Sequence, residues 1–255
     1  MREYHHDADD LIHPLAAPFR LDGTRGEAFV LVHGFTGNPA HFRHLGGQLH
    51  HLGFTVNAPL LPGHAKRAEA LASVTRSDWL AATIDAAREV GDHNRVHLVG
   101  LSMGGLLAIL AADRTKVSTI TTVNSPVIFR DWRIRFSRAA RRVRPRVDWP
   151  DEPPPDLDEE VRDKWIHASG FPTVAAAELY SLSREALRAA RTVTVPSLVI
   201  QSKTDDTSDP RSGPILRRAL GSNSRLLWLE RSMHNALFDR ERDVIRDAVV
   251  EMVSG

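Results

Sequence analysis

Gly100-Leu101-Ser102-Met103-Gly104 carries the most specific chemical signal in the chain, a serine between two glycines in the pattern G-x-S-x-G. A serine hydroxyl is unreactive at neutral pH unless a base removes its proton, and the base needs an acid to orient it. Both kinds of residue follow later: Asp205 and Asp206 in QSKTDDTSD, and His234 in ERSMHNALF. That chain order, serine then acid then histidine, fits a nucleophile elbow followed by its partners. A tetrahedral oxyanion would need two N–H donors. One expected donor is the backbone N–H of Met103, directly after the serine. The other is that of Phe35, in Val32-His33-Gly34-Phe35-Thr36-Gly37.

These residues need elements to hold them. Short apolar, β-branched runs recur at 28–34, 54–61, 95–101, 117–125, 195–202 and 224–230 and read as strands. FVLV and LVIQ are apolar on consecutive positions, which suits strands buried on both faces of a parallel sheet. Helical patterns lie between them: PAHFRHLGGQLHHLG, SDWLAATIDAAREVG, MGGLLAILAADRT, RSGPILRRALG and the closing DRERDVIRDAVVEMV. Strand alternating with helix predicts an α/β fold with a mostly parallel central sheet. Ser102 then falls between a strand and a helix, at the sharp turn the elbow requires. A side chain at Gly100 or Gly104 would strike neighbouring backbone there. The helix N-terminus after Ser102 favours nearby negative charge.

The alternation stops between Val127 and Thr194, where no convincing strand is legible. RDWRIRFSRAARRVRPRVDWPDEPPPDLDEEVRDKW turns from basic to acidic, and TVAAAELYSLSREALRAAR is helix-like. The expected organisation is therefore a core formed by 1–126 and 195–255, with 127–194 inserted as a helical cap. Within the insert, Phe136, Ala139, Ala140 and Val143 recur at helical spacing among arginines. They predict a short amphipathic helix whose charges are solvated or paired with the acidic run Asp151 to Glu160. Peripheral contact of this cap with a lipid interface is the alternative. DEPPPD reads as a stiff exposed turn.

Charged residues make up 25% of the 255 and nearly cancel, at formal +1, so no global field directs the chain to nucleic acid. There is no cysteine, which removes disulfides, thiolate nucleophiles and cysteine-ligated metals together. MREYHHDADDLIHPLAAPF lacks the order of a signal peptide, and no apolar run reaches the ~18 residues that cross a bilayer. The expectation is a soluble, cytoplasmic protein.

The segments LVHGFTGNP, NAPLLPGH, VGLSMGG, VIQSKTDD and SMHN resemble the α/β-hydrolase fold, and more narrowly the bacterial carboxylesterase and monoacylglycerol lipase family with a small helical cap. The resemblance runs from about Phe29 to the C-terminus, the cap excepted. It implies a triad of Ser102, Asp205 and His234, an oxyanion hole through Phe35, and acyl glycerides or simple medium-chain esters as small-molecule substrates. Two positions depart from the family pattern. Polar Asp206-Thr207-Ser208 follows the acid where apolar residues are common, leaving Asp206 as the alternative acid; Asp205 lies nearer the strand end. Met233 precedes the histidine where glycine is frequent.

Such a triad needs no metal or organic cofactor. It also serves lactonases, carbon–carbon bond hydrolases and acyltransferases, whereas a ligand-binding module that had lost turnover would be expected to lack one of its members. A dehalogenase would carry aspartate at the elbow. Among the other histidines, His33 reads as a brace for the oxyanion loop. His41, His44, His50 and His51 read as a solvated helix face, since no HExxH pattern accompanies them. His5 and His6 read as a frayed tail.

Overall fold

The runs that are apolar on consecutive positions form strands covered on both faces. In the computed structural model, which describes residues 13–148, 166 and 168–254, the strands are β1 (Phe19–Leu21), β2 (Glu27–Val32), β3 (Thr55–Ala58), β4 (Arg95–Leu101), β5 (Thr119–Val123), β6 (Arg146–Asp148), β7 (Gly170–Pro172), β8 (Ser197–Ser202) and β9 (Ser224–Leu229). Seven of them make one sheet in the order β1-β3-β2-β4-β5-β8-β9. Only β1 runs antiparallel, against β3; the other neighbours are parallel.

Successive side chains in a strand point to opposite faces, so β2 shows how the core divides. Ala28, Val30 and Val32 join a cluster with Trp79, Leu80 and Ile84 of α2 (Arg76–Glu89) and with α3 (Met103–Ala112). Phe29 and Leu31 join another with Leu45 and Leu49 of α1 (Arg43–His51). The last helix, Arg242–Ser254, adds Ile245, Val249 and Val253 to that second layer. Each large aliphatic or phenyl side chain among them contributes about 1.5–3 kcal/mol when taken from water, before the entropy of ordering is subtracted. Met103 to Ala111 are all buried, the mark of a helix packed on every side.

Register fixes where the functional loops emerge. Val32 pairs with Gly100, Leu101 with Val123, Val123 with Ile200, and Ser202 with Leu229. The loops after β2, β4, β8 and β9 therefore open at one rim, the carboxyl edge of the sheet, where open α/β sheets bind ligands.

Residues 127–194 depart from expectation in two ways. A small antiparallel ribbon pairs β6 with β7, Val147 opposite Phe171, although no strand was legible there. The arginine-rich stretch does not form one amphipathic helix: a 3-10 turn, Trp132–Phe136, leads into the single turn α4 (Ser137–Ala140). Phe136 and Val143 stay 49% and 90% exposed, so no apolar stripe is buried. Arginines three and four apart repel, and a short helix without tertiary packing is marginal in water. The expected helix over 173–191 is present as α5 (Thr173–Ala189), with Ala175, Leu179, Leu182 and Ala186 in the same cluster as α3. DEPPPD, the acidic run Asp151 to Glu160 and the pair His5 and His6 lie outside the described residues. At three residues, β1 is too short to carry a strand pattern in the sequence.

Candidate active site

The elbow is enforced by sterics. A Cβ on Gly100 would sit 2.1 Å from the carbonyl carbon of Gly104, and one on Gly104 would sit 1.9 Å from the carbonyl oxygen of Val32. Only glycine lets β4 turn into α3 so tightly. Ser102 takes φ 54° and ψ −116°, a conformation that costs a non-glycine residue about 1–3 kcal/mol and persists only where the surroundings impose it. One restraint is its N–H, which donates to Val123 O at 2.7 Å. The serine is 7% exposed.

The three groups separated in sequence meet at this turn. Ser102 Oγ lies 3.0 Å from His234 Nε2, and His234 Nδ1 lies 2.9 Å from Asp205 Oδ1. Asp205 is fully buried, whereas Asp206 is exposed. The Asp205 carboxylate also accepts the N–H groups of Thr207 and Ser208 at 2.9 and 2.8 Å and the Gln201 amide at 3.2 Å. A buried carboxylate needs such donors. A carboxylate on Nδ1 requires that nitrogen to carry the proton, leaving Nε2 as an acceptor toward the serine hydroxyl.

The loop after β2 abuts the serine: a Cβ on Gly34 would lie 3.3 Å from Ser102 Cβ. His33, fully buried, accepts the Leu61 N–H on Nε2 at 3.1 Å, so its Nδ1 carries hydrogen and donates to Gly34 O at 2.9 Å. The ring thus ties down the residue before Phe35, as the brace reading anticipated. Burial, with His64 nearby, holds the His33 pKa well below its ordinary value. Burial likewise lowers His64 to about 4. Its ring packs on His33, Phe35 and Trp79 at centroid distances of 4.9, 6.2 and 5.7 Å. Met103, the first residue of α3, has an N–H that no carbonyl of the helix can accept.

His41 corrects the expectation of a solvated histidine face: it is 7% exposed, and its Nε2 lies 3.1 Å from Ile166 O. The Asn38 amide donates to the same carbonyl. Among the described residues of 127–172, Arg130 Nε also donates to Asp205 O, and the Phe171 and Phe35 rings meet edge to face at 5.1 Å.

Several supports of the site escaped sequence reasoning. Glu241 accepts the N–H groups of Glu230, Arg231 and Ser232 and the Ser232 hydroxyl, at 2.8–3.0 Å. Burial alone would raise its pKa, but these donors outweigh burial and lower it. Asp239 accepts the Met233 N–H at 2.6 Å. Together they shape the loop before His234 without the glycine common at that point. Acidic residues shortly after the histidine were visible, but helix-start acids look the same in sequence.

A mostly parallel sheet flanked by helices, with a serine, a histidine and a carboxylate joined at its carboxyl rim, defines an α/β hydrolase. The family model described as "Alpha/beta hydrolase family" matches residues 29–248, and the chain belongs to that family. It is similar to the carboxylesterase of Bacillus subtilis (strain 168), 25% identical over 239 residues, covering 92% of this chain and 95% of that protein. It is also similar to the thermostable monoacylglycerol lipase of Bacillus sp. (strain H-257), 27% identical over 228 residues, with 87% and 88% covered. Among solved structures, one of the metagenome-derived lipolytic enzymes LipS and LipT superposes with a TM-score of 0.85 at 26% identity, covering 95% of this chain and 99% of that one. The Paleococcus ferrophilus monoacylglycerol lipase superposes with a TM-score of 0.75 at 18% identity, over 93% and 98%, a likeness of fold.

Proposed function

We propose that the protein is a serine hydrolase of carboxylic esters in which Ser102 is the nucleophile, His234 the general base and acid, and Asp205 the orienting acid. His234 Nε2 takes the Ser102 proton as Oγ attacks the ester carbonyl. The backbone N–H groups of Phe35 and Met103 receive the oxyanion. Collapse expels the alcohol, protonated by His234, and leaves an acyl-serine; water then attacks with the same histidine as base. The observation that carries this reading is the unbroken hydrogen-bond chain from Ser102 Oγ through His234 to buried Asp205, at 3.0 and 2.9 Å.

The substrates we propose are short- to medium-chain acyl esters or monoacylglycerols, in keeping with the activities of the two Bacillus relatives. Of the insertion 127–194, we assign α5 to the wall of the core because it packs with α3, and the described residues 127–148 and 168–172 to the cover. Trp132 and Phe136 are 60% and 49% exposed, with the Arg135 guanidinium over both rings at 5.0 and 4.6 Å. A peripheral lipid contact there is part of the proposal. Among the described residues no helix is long and apolar enough to cross a membrane.

Hydrolysis of p-nitrophenyl esters over a chain-length series tests the chemistry. The expected optimum lies at short to medium acyl chains. Ser102→Ala is expected to lower kcat by on the order of a millionfold, and unchanged turnover in that variant would defeat the assignment. Flotation with anionic vesicles tests the lipid contact. Glutamine at Arg135, Arg138, Arg141 and Arg142 is expected to weaken binding, and unaltered binding would reject it.

A further inference from the structure

The carboxamide of Asn124 bonds both to the histidine loop and to the strand that leads to the acid, and it stands directly after the residue that holds the serine. Asn124 follows β5, is fully buried, and has φ 49°, a left-handed conformation that asparagine tolerates better than most residues. Its Nδ2 lies 2.8 Å from His234 O, 3.1 Å from Met233 O and 2.9 Å from Ser202 Oγ. Its Oδ1 accepts the Ser202 N–H at 2.7 Å and the Gln201 amide at 3.3 Å. Its own N–H donates to Ile200 O at 2.9 Å. A primary amide has two donors and two acceptor sites, and every one is engaged.

Three connections lead to the three members of the proposed triad. Val123, the preceding residue, accepts the Ser102 N–H. Gln201, held by Asn124 Oδ1, donates to Asp205 Oδ2 at 3.2 Å. His234 is held directly through its carbonyl. We infer that Asn124 is a positioning residue that sets the spacing of Ser102, Asp205 and His234 by clamping the histidine loop to the ends of β5 and β8. It touches no reacting atom. The inference rests on the ester-hydrolase reading, and misplacing a catalytic group by about 1 Å can cost on the order of a hundredfold in rate.

The test compares wild type, Ser102→Ala, Asn124→Gly and Asn124→Asp for p-nitrophenyl butyrate hydrolysis, with thermal unfolding of each. Glycine keeps the left-handed backbone while removing the carboxamide. Asn124→Gly is expected to lower kcat about a hundredfold with KM nearly unchanged. In Asn124→Asp a carboxylate faces the carbonyls of Met233 and His234, whereas its protonated form can still donate one hydrogen bond. Its activity relative to wild type is therefore expected to climb as pH is lowered from about 9 to about 6, because repulsion by carbonyls raises the pKa of the new carboxyl. A kcat within about twofold of wild type in folded Asn124→Gly overturns the inference. So does activity that falls only in proportion to the folded fraction in both variants, which would make Asn124 a support of the fold alone. Inert wild type, or fully active Ser102→Ala, would instead sink the hydrolase reading.

Discussion

The two loops that approach Ser102 are held by opposite chemistries. On the side of the loop after β2, neutral buried imidazoles do the holding: His33 bridges Leu61 N–H and Gly34 O, with His64 packed against it. On the histidine side, buried carboxylates do: Asp205 grips the ring, and Glu241 collects four donors from the loop ahead of it. An imidazole that must stay neutral and a carboxylate that must stay charged both fail in acid, but in different windows. His64 binds its proton near pH 4 in the fold and near 6.5 when unfolded, so the stability it contributes is lost as pH falls from 6.5 toward 4. Glu241 has a folded pKa below its usual 4.5, so its contribution is intact above 4.5 and lost only below it. The loop after β2 should therefore loosen first on acidification.

The largest expected break in this contrast is on the carboxylate side. Asp205→Asn should lower kcat by on the order of ten-thousandfold, because the amide no longer enforces the Nδ1–H tautomer. Asp206→Asn at the exposed neighbour should leave it within about twofold, and the reverse ranking would move the acid to Asp206. On the imidazole side, His33→Phe leaves the Leu61 N–H and Gly34 carbonyl unpaired. Steady-state kinetics should show kcat lower by about a hundredfold or more if Phe35 supplies an oxyanion donor.

Stability measurements sharpen the pH windows. Chemical unfolding of wild type should lose on the order of 3 kcal/mol through His64 between pH 6.5 and 4, and His64→Phe should flatten that stretch of the curve. A slope unchanged in His64→Phe would mean another group titrates there. Glu241→Gln should cost about 1.5–3 kcal/mol at pH 7 and reduce the further loss below pH 4.5, with little effect between 5 and 7.

The site was legible in sequence to the extent that local sterics and order encode it. Glycines flanking Ser102 mark a turn no other residue fits, and a histidine and an acid beyond later strands complete the order. The rest was illegible because the partners are remote. Nothing around Asn124 announces that its amide meets a loop 110 residues away. Glu241 sits where helix-start acids ordinarily sit, and only the fold shows four donors converging on it. The arginine-rich stretch misled for the converse reason: its helical spacing is real, but no core lies beside it to bury Phe136 and Val143.

By itself the sequence determined a mostly parallel α/β sheet and the glycine-flanked turn that holds Ser102, since apolar runs and glycine positions act over a few residues. Tertiary structure alone decided that Asp205 rather than Asp206 faces the histidine, and which polar groups brace each loop. Those choices depend on burial and on hydrogen bonds between distant strand ends. Strand pairing must first bring these ends to one rim before any such bond can form.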